Sequence, residues 1–208
     1  MPYIYYSYYT PIFKSIPAIH AQEHQTGRQL LINGLKHLYG LCYDFHDLDQ
    51  ILKKETNGKP FLPDHPEIHF NITHCDGLAA CAFHSRPIGI DAELPGYFAP
   101  ILINKALSKE EIHFFRQMAS TLSQEQEWFF RFWTLKEAFV KQSGIGVDTN
   151  LKSFSFSFDQ QTFPSGISCS KTDISCWQTQ LDGGQIISLC YKDTGEPVKI
   201  INVSTDAI

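Results

Sequence analysis

The sequence predicts an α+β protein, with helices packed on antiparallel sheets. Three observations carry that expectation. "IHFNITHC" and "LAACAFHS" read as strands, and Asp76-Gly77 between them reads as a hairpin turn, which makes the pair antiparallel. "TGRQLLINGLKHLYGL" and "WFFRFWTLKEAFVK" carry apolar residues at helical spacing. The same ingredients, helix plus antiparallel strands, occur on both sides of a break near residues 94–100. Two similar halves in one chain are therefore expected, residues 1–94 and 95–208, although no direct repeat links them.

In chain order, "YIYYSYY" is β-branched or aromatic throughout and predicts an opening strand. Leu30, Leu31, Leu35, Leu38 and Leu41 then fall near helical spacing. "TNGKPFLP" contains two punctuators, Asn-Gly and Lys-Pro, and predicts a turn. The hairpin follows, then a short third strand at "PIGIDAE", and "LPGYF" breaks the chain. "LSKEEIHFFRQM" opens a helix, with Ser108 as N-cap and Glu111 completing a capping box. The aromatic helix comes next, closed by Gly144. "FSFSF" alternates strictly and predicts a strand, as do "SCWQTQL" and "QIISLCYK".

The 208 residues are 43% hydrophobic and 13% aromatic, enough for a packed core. A net charge of −5 argues against nucleic acid as a partner, which needs Lys and Arg against phosphate. No apolar run approaches membrane-spanning length, and the first residues do not form a secretory signal. Six scattered cysteines without a C-x-x-C predict buried thiols in a reducing cytoplasm.

Asp91 and Glu93 are two apart on a strand, so both side chains share a face. Two adjacent carboxylates raise one another's pKa unless a positive group intervenes. A hard divalent cation such as magnesium suits them, and a solvated strand end is the plainer alternative. Glu137 and Lys141 sit among aromatic residues. By themselves they read equally as an i, i+4 surface pair or as groups held in a buried polar site. His65, His69, His74 and Cys75 are close in sequence, but in a strand His69 and His74 point to opposite faces, which fits a zinc cage poorly. Lys59 sits at the tip of a rigid turn that could hold an ammonium against a phosphate. No P-loop pattern is present.

In order, "NGKP", "FNITH", "IGIDAE" and "FWTLKEAFVKQSGIG" resemble the motifs of the 4'-phosphopantetheinyl transferases of the longer, surfactin-synthetase-activating type, from about residue 27 to residue 151. The resemblance implies two similar α+β halves with coenzyme A in the cleft between them. It implies transfer of the phosphopantetheine arm to a serine of an apo acyl or peptidyl carrier protein, by a cytoplasmic monomer acting in fatty-acid, polyketide or nonribosomal-peptide synthesis. Asp91, Glu93 and Glu137 match the carboxylates that hold Mg²⁺ or Mn²⁺. Lys59, Thr73, His74 and Lys141 match positions at coenzyme A phosphates, and Arg28 an arginine that helps hold the nucleotide. The implied catalytic set is Glu137 as base, with Lys141 and His74 stabilising the leaving 3',5'-ADP. Where several relatives carry further basic residues before the first long helix, this chain offers only His20 and His24.

Two rival readings remain. A non-catalytic coenzyme A or carrier-binding module on the same fold would be favoured by a missing carboxylate, and none is missing. Another magnesium-dependent phosphotransferase would need no docking surface. "LPGYFAPILINKAL" is more apolar than a loop should be, so Tyr97, Phe98, Ile101 and Leu102 form either a partner patch or core.

Overall fold

A computed structural model describes residues 1–10, 15–146, 149–159, 162, 166–192 and 196–203. Strand β1 (Tyr3–Tyr8) leads to helix α1 (Ile16–Tyr39), a short helix α2 (Phe45–Ile51) and a small ribbon of β2 (Lys53–Lys54) with β3 (Pro60–Phe61). Strands β4 (His69–Cys75), β5 (Leu78–His84) and β6 (Ile88–Glu93) follow. Helices α3 (Ile101–Ala106), α4 (Lys109–Met118) and α5 (Leu122–Ser143) precede β7 (Phe156–Phe158), β8 (Ile167–Cys169), β9 (Ser175–Gln180), β10 (Ile186–Tyr191) and β11 (Lys199–Asn202). The class is α+β.

Two sheets form the centre, in orders β11-β1-β5-β4 and β6-β10-β9-β8-β7. Leu30, Leu31, Leu35 and Phe83 pack α1 onto the outer face of the first sheet. Ile4, Ala80, Ile88, Ile90 and Leu189 fill the space between the sheets. Phe129, Phe132, Leu135 and Phe139 pack α5 on the second sheet. The layers therefore run helix, sheet, sheet, helix.

The sheets do not divide at residue 94. Strand β6 pairs antiparallel with β10 in the second sheet. Strand β11 returns to the first and pairs parallel with β1, an exception to the antiparallel expectation. Each sheet thus takes a strand from the other part of the chain.

Helix α1 begins at Ile16, well before the "TGRQLLINGLKHLYGL" stretch that starts at Thr26. Ile16 and the residues after it are largely exposed, so no apolar stripe marks that stretch, but Pro17 suits a first turn. Helix α2 is polar and short; its signal is Asp44, whose side chain accepts from Asp47 N at 2.8 Å in a capping box. Helix α4 is capped by Ser108 and Glu111, and α5 ends at Gly144 with φ of 68°. Among the described residues no cysteine is in a disulfide, and Cys42 is exposed rather than buried. No described helix is long and apolar enough to cross a membrane.

Candidate active site

Strand β6 alternates faces. Ile88, Ile90 and Ala92 enter the inter-sheet core, so Gly89, Asp91 and Glu93 face α5. Helix α5 lies very close to this face. A Cβ on Gly89 would stand 2.1 Å from Ala138 O and 2.3 Å from Gln142 N. That contact carries Glu137 and Lys141 to the strand's carboxylates.

Lys141 Nζ donates to Asp91 Oδ1 at 2.6 Å, and Thr73 Oγ1 donates to the same oxygen at 3.3 Å. Asp91 is buried, and its Oδ2 has no hydrogen-bond partner among the described residues. Burial pushes the Asp91 carboxyl up, against the opposing pull of the Lys141 ammonium. Burial and the charges of Asp91 and Glu137 push Glu93 up to about 7. Burial and Asp91 also push Glu137 up, with Lys141 opposing. Three carboxylates share one ammonium, which leaves the group short of positive charge.

The donor set fits a hard divalent cation. All its atoms are carboxylate oxygens, and one is buried without a partner. Among the described residues no three His, Cys, Asp or Glu side chains converge into a ready-made cage, at the carboxylates or at His65, His69, His74 and Cys75.

Strand β4, at the edge of the first sheet, joins the site to the second. Asn71 Oδ1 accepts from Ile90 N at 2.9 Å, and Thr73 Oγ1 accepts from Ala92 N at 3.3 Å. "FNITH" therefore supplies two side chains that satisfy the backbone of β6. Thr73 is buried beside Asp91, so its hydroxyl serves the carboxylate group. Sequence reasoning missed Asn71, because its partner lies in another element.

Beside the carboxylates is a cavity of about 470 Å³, lined in part by Asn57, Lys59, Asn71, Glu137, Lys141 and Gly146. Lys59 Nζ donates to Ile88 O at 2.9 Å and to Lys141 O at 2.8 Å, clamping β6 to the end of α5. That leaves one of its three N–H donors for anything in the cavity. Asn57 Nδ2 donates to Gly144 O at 2.8 Å and fastens the same turn to the helix cap.

His74 lies on the opposite face of β4, with Nδ1 3.3 Å from Glu23 Oε2. Arg28 is not brought to the carboxylates. Its guanidinium bonds Asp49 at 2.6 Å and Phe45 O at 3.0 Å, tying α1 to α2. It borders a separate cavity of about 420 Å³ with His24 and Gln25. Lys136, next to Glu137 in sequence, points away from the site. It is fully buried, donates to Phe154 O at 2.6 Å and pairs with Glu111 at 2.7 Å. Of the apolar segment after β6, Tyr97 and Ile101 are 87% and 59% exposed, whereas Phe98 stacks on Phe129 at 3.9 Å and Leu102 packs against the core.

The family model of the 4'-phosphopantetheinyl transferase superfamily matches residues 87–190, from the start of β6 to the end of β10. Over 168 residues the chain is 30% identical to 4'-phosphopantetheinyl transferase Sfp of Bacillus subtilis, covering 80% of this chain and 74% of the relative. The chain belongs to this superfamily. The matched segment contains Asp91, Glu93, Glu137 and Lys141. Two further similarities are to 4'-phosphopantetheinyl transferase psf-1 of Bacillus pumilus, 30% identical over 65% of this chain and 56% of the relative, and to the L-aminoadipate-semialdehyde dehydrogenase-phosphopantetheinyl transferase of Xenopus laevis, 31% identical over 57% and 43%. Members of this class are transferases, and the rival reading as a mere binding module is not favoured.

Proposed function

We propose that this chain transfers the 4'-phosphopantetheine arm of coenzyme A to a serine of an apo acyl or peptidyl carrier protein. The observation that carries the reading is the bond of Lys141 to Asp91, with Glu93 and Glu137 in electrostatic reach of it, beside a cavity that Glu137 and Lys141 line, in a chain of this family. In the reaction the serine Oγ–phosphorus bond forms at the β-phosphate. The bond from that phosphorus to the bridging oxygen breaks, and 3',5'-ADP leaves with the electron pair.

Asp91, Glu93 and Glu137 would hold Mg²⁺ or Mn²⁺, which neutralises pyrophosphate charge when bound. Glu137, on the cavity wall, accepts the serine proton. Lys141 positions Asp91 and borders the cavity, so its charge also favours the leaving phosphate. Lys59, His74 and Arg28 complete the proposed coenzyme A contacts, with Thr73 beside them orienting Asp91. Lys59 acts through its remaining donor and Arg28 from the α1–α2 side. The N-terminal part, residues 1–94, contributes the phosphate contacts and first carboxylates. Residues 95–208 contribute the helix with Glu137 and the exposed Tyr97 and Ile101, which we assign to carrier docking in a cytoplasmic monomer.

The test is intact mass of apo-carrier proteins incubated with this protein, coenzyme A and magnesium. A gain equal to one phosphopantetheine supports the reading. Coenzyme A binding without any gain across carriers of several kinds overturns it in favour of a binding module.

A further inference from the structure

The first part of α1 carries a buried carboxylate that the reaction above does not use. Glu23 is 7% exposed. Its Oε1 accepts from the Tyr9 hydroxyl at 2.8 Å. Its Oε2 lies 2.9 Å from His20 Nδ1 and 3.3 Å from His74 Nδ1. Tyr9 OH is also 3.0 Å from Cys75 O, which ties the group to the end of β4. Helix α1 is held tightly here, since a Cβ on Gly27 would stand 2.7 Å from Ile72 Cγ2, two residues before His74. Glu23 and His74 therefore face one another across a fixed gap.

We infer that Glu23 is a positioning residue that fixes the ring of His74 for coenzyme A. The inference rests on the reading of His74 as a phosphate contact. An ionised carboxylate only accepts, so Glu23 favours a proton on the His74 nitrogen that faces it at 3.3 Å. That orients the ring and leaves Nε2 as the nitrogen presented outward. When a phosphate meets Nε2, a second proton there completes an imidazolium held between two anions. His74 is flanked by Glu23, His20 and His24 from α1 and by Lys141 from α5, and Tyr9 reaches Glu23 from beyond β1. Burial, Lys141, His20 and His24 all work against a charged His74, and Glu23 is the group that favours it. Burial by itself would raise Glu23. The hydrogen bonds from Tyr9 and His20 and the charges of the two histidines outweigh it, which keeps the carboxylate ionised. In a chain with no Lys or Arg between Ile16 and Gly27, this carboxylate substitutes for added basic groups by sustaining the charge on a histidine.

The test combines Glu23→Gln, His74→Ala and the double variant, read by calorimetry with coenzyme A at about pH 6 and about pH 8. Glu23→Gln should weaken coenzyme A by about tenfold at the higher pH, because the imidazolium loses the carboxylate that favours it, and by less at the lower. In the His74→Ala background it should add nothing. The defect should fall on KM for coenzyme A, with kcat nearly kept. Imidazole ¹⁵N spectra of the unmutated protein should show His74 with its proton on Nδ1, and this holds the inference to account even if Glu23→Gln folds poorly. A proton on Nε2 alone overturns the inference, as does an equal loss of affinity with and without His74. If His74→Ala weakens coenzyme A and Glu23→Gln does not, the positioning role fails and the reading of His74 stands. If neither variant changes affinity, the reading of His74 fails and the inference fails with it.

Discussion

Glu137 and Lys141 are one helical turn apart, yet each meets a different requirement of the β6 carboxylates. Glu137 adds a third negative group to a pair that already repels, while Lys141 gives Asp91 its shortest hydrogen bond. Glu137→Gln keeps the shape and removes both a cation ligand and a proton acceptor. Single-turnover transfer should fall by about 10²–10⁴, the range for loss of a positioned base, with the melting temperature unchanged or raised. Turnover near that of the unmutated protein would remove Glu137 from the chemistry. Lys141→Ala should behave differently. It leaves Asp91 buried without its cation, so the metal-free protein should lose about 1–3 kcal/mol in denaturant melts. Added magnesium should restore part of that loss, because a divalent cation can take over the neutralisation. An equal loss with and without magnesium would mean that the ammonium and the cation do not share Asp91. The two residues were legible as a pair from spacing alone, but a surface ion pair has the same spacing. Only the partner strand distinguishes the two, and β6 lies far away in sequence.

At the scale of elements, the site depends on how closely α5 approaches β6. Gly89 is the point of contact, and no side chain fits between the strand and the backbone at Ala138 and Gln142. Gly89→Ala should therefore push the helix outward and lower both stability and transfer, the latter because about 1 Å of misplacement is costly to a reacting geometry. Full activity in that variant would show that the helix can shift without loss. The same helix is anchored on its other side by Lys136, whose pair with Glu111 is wholly buried. Lys136→Ala strands Glu111 and should cost about 3–5 kcal/mol in a urea melt. A loss below 1 kcal/mol would mean that water replaces the ammonium. Capping signals at Ser108 and Gly144 and the alternation of β7 could be read directly, because each is local. Helix α3, strand β8 and strand β11 could not. They are short, and their neighbours in space set them, as β1 does for β11. In "LKEAF" Lys136 and Glu137 look equivalent, but one turns to the core and the other to the cavity, a difference set by α4 and β6 packing on opposite sides of α5.

For the whole molecule, the exchange of strands between the sheets places the carboxylate group at their junction, so its charge state acts on global stability. Glu93 carries the largest readable effect. Its folded pKa is about 7, above the ordinary 4.5, so between those values the folded state holds a proton that the unfolded state has released. Stability from this group is therefore complete at low pH and is lost as pH rises through about 7, the reverse of the usual carboxylate pattern. Thermal melts of the protein in EDTA should show a negative slope with pH across this window, and Glu93→Gln should flatten it. Magnesium binds only the deprotonated carboxylates, so the stabilisation it adds should grow over the same window. The slope is read as a difference between the two proteins, which cancels the other titrating groups they share. An unchanged slope in Glu93→Gln would place the repulsion elsewhere. A magnesium effect that does not vary with pH would mean that the cation is not held by the groups that titrate here.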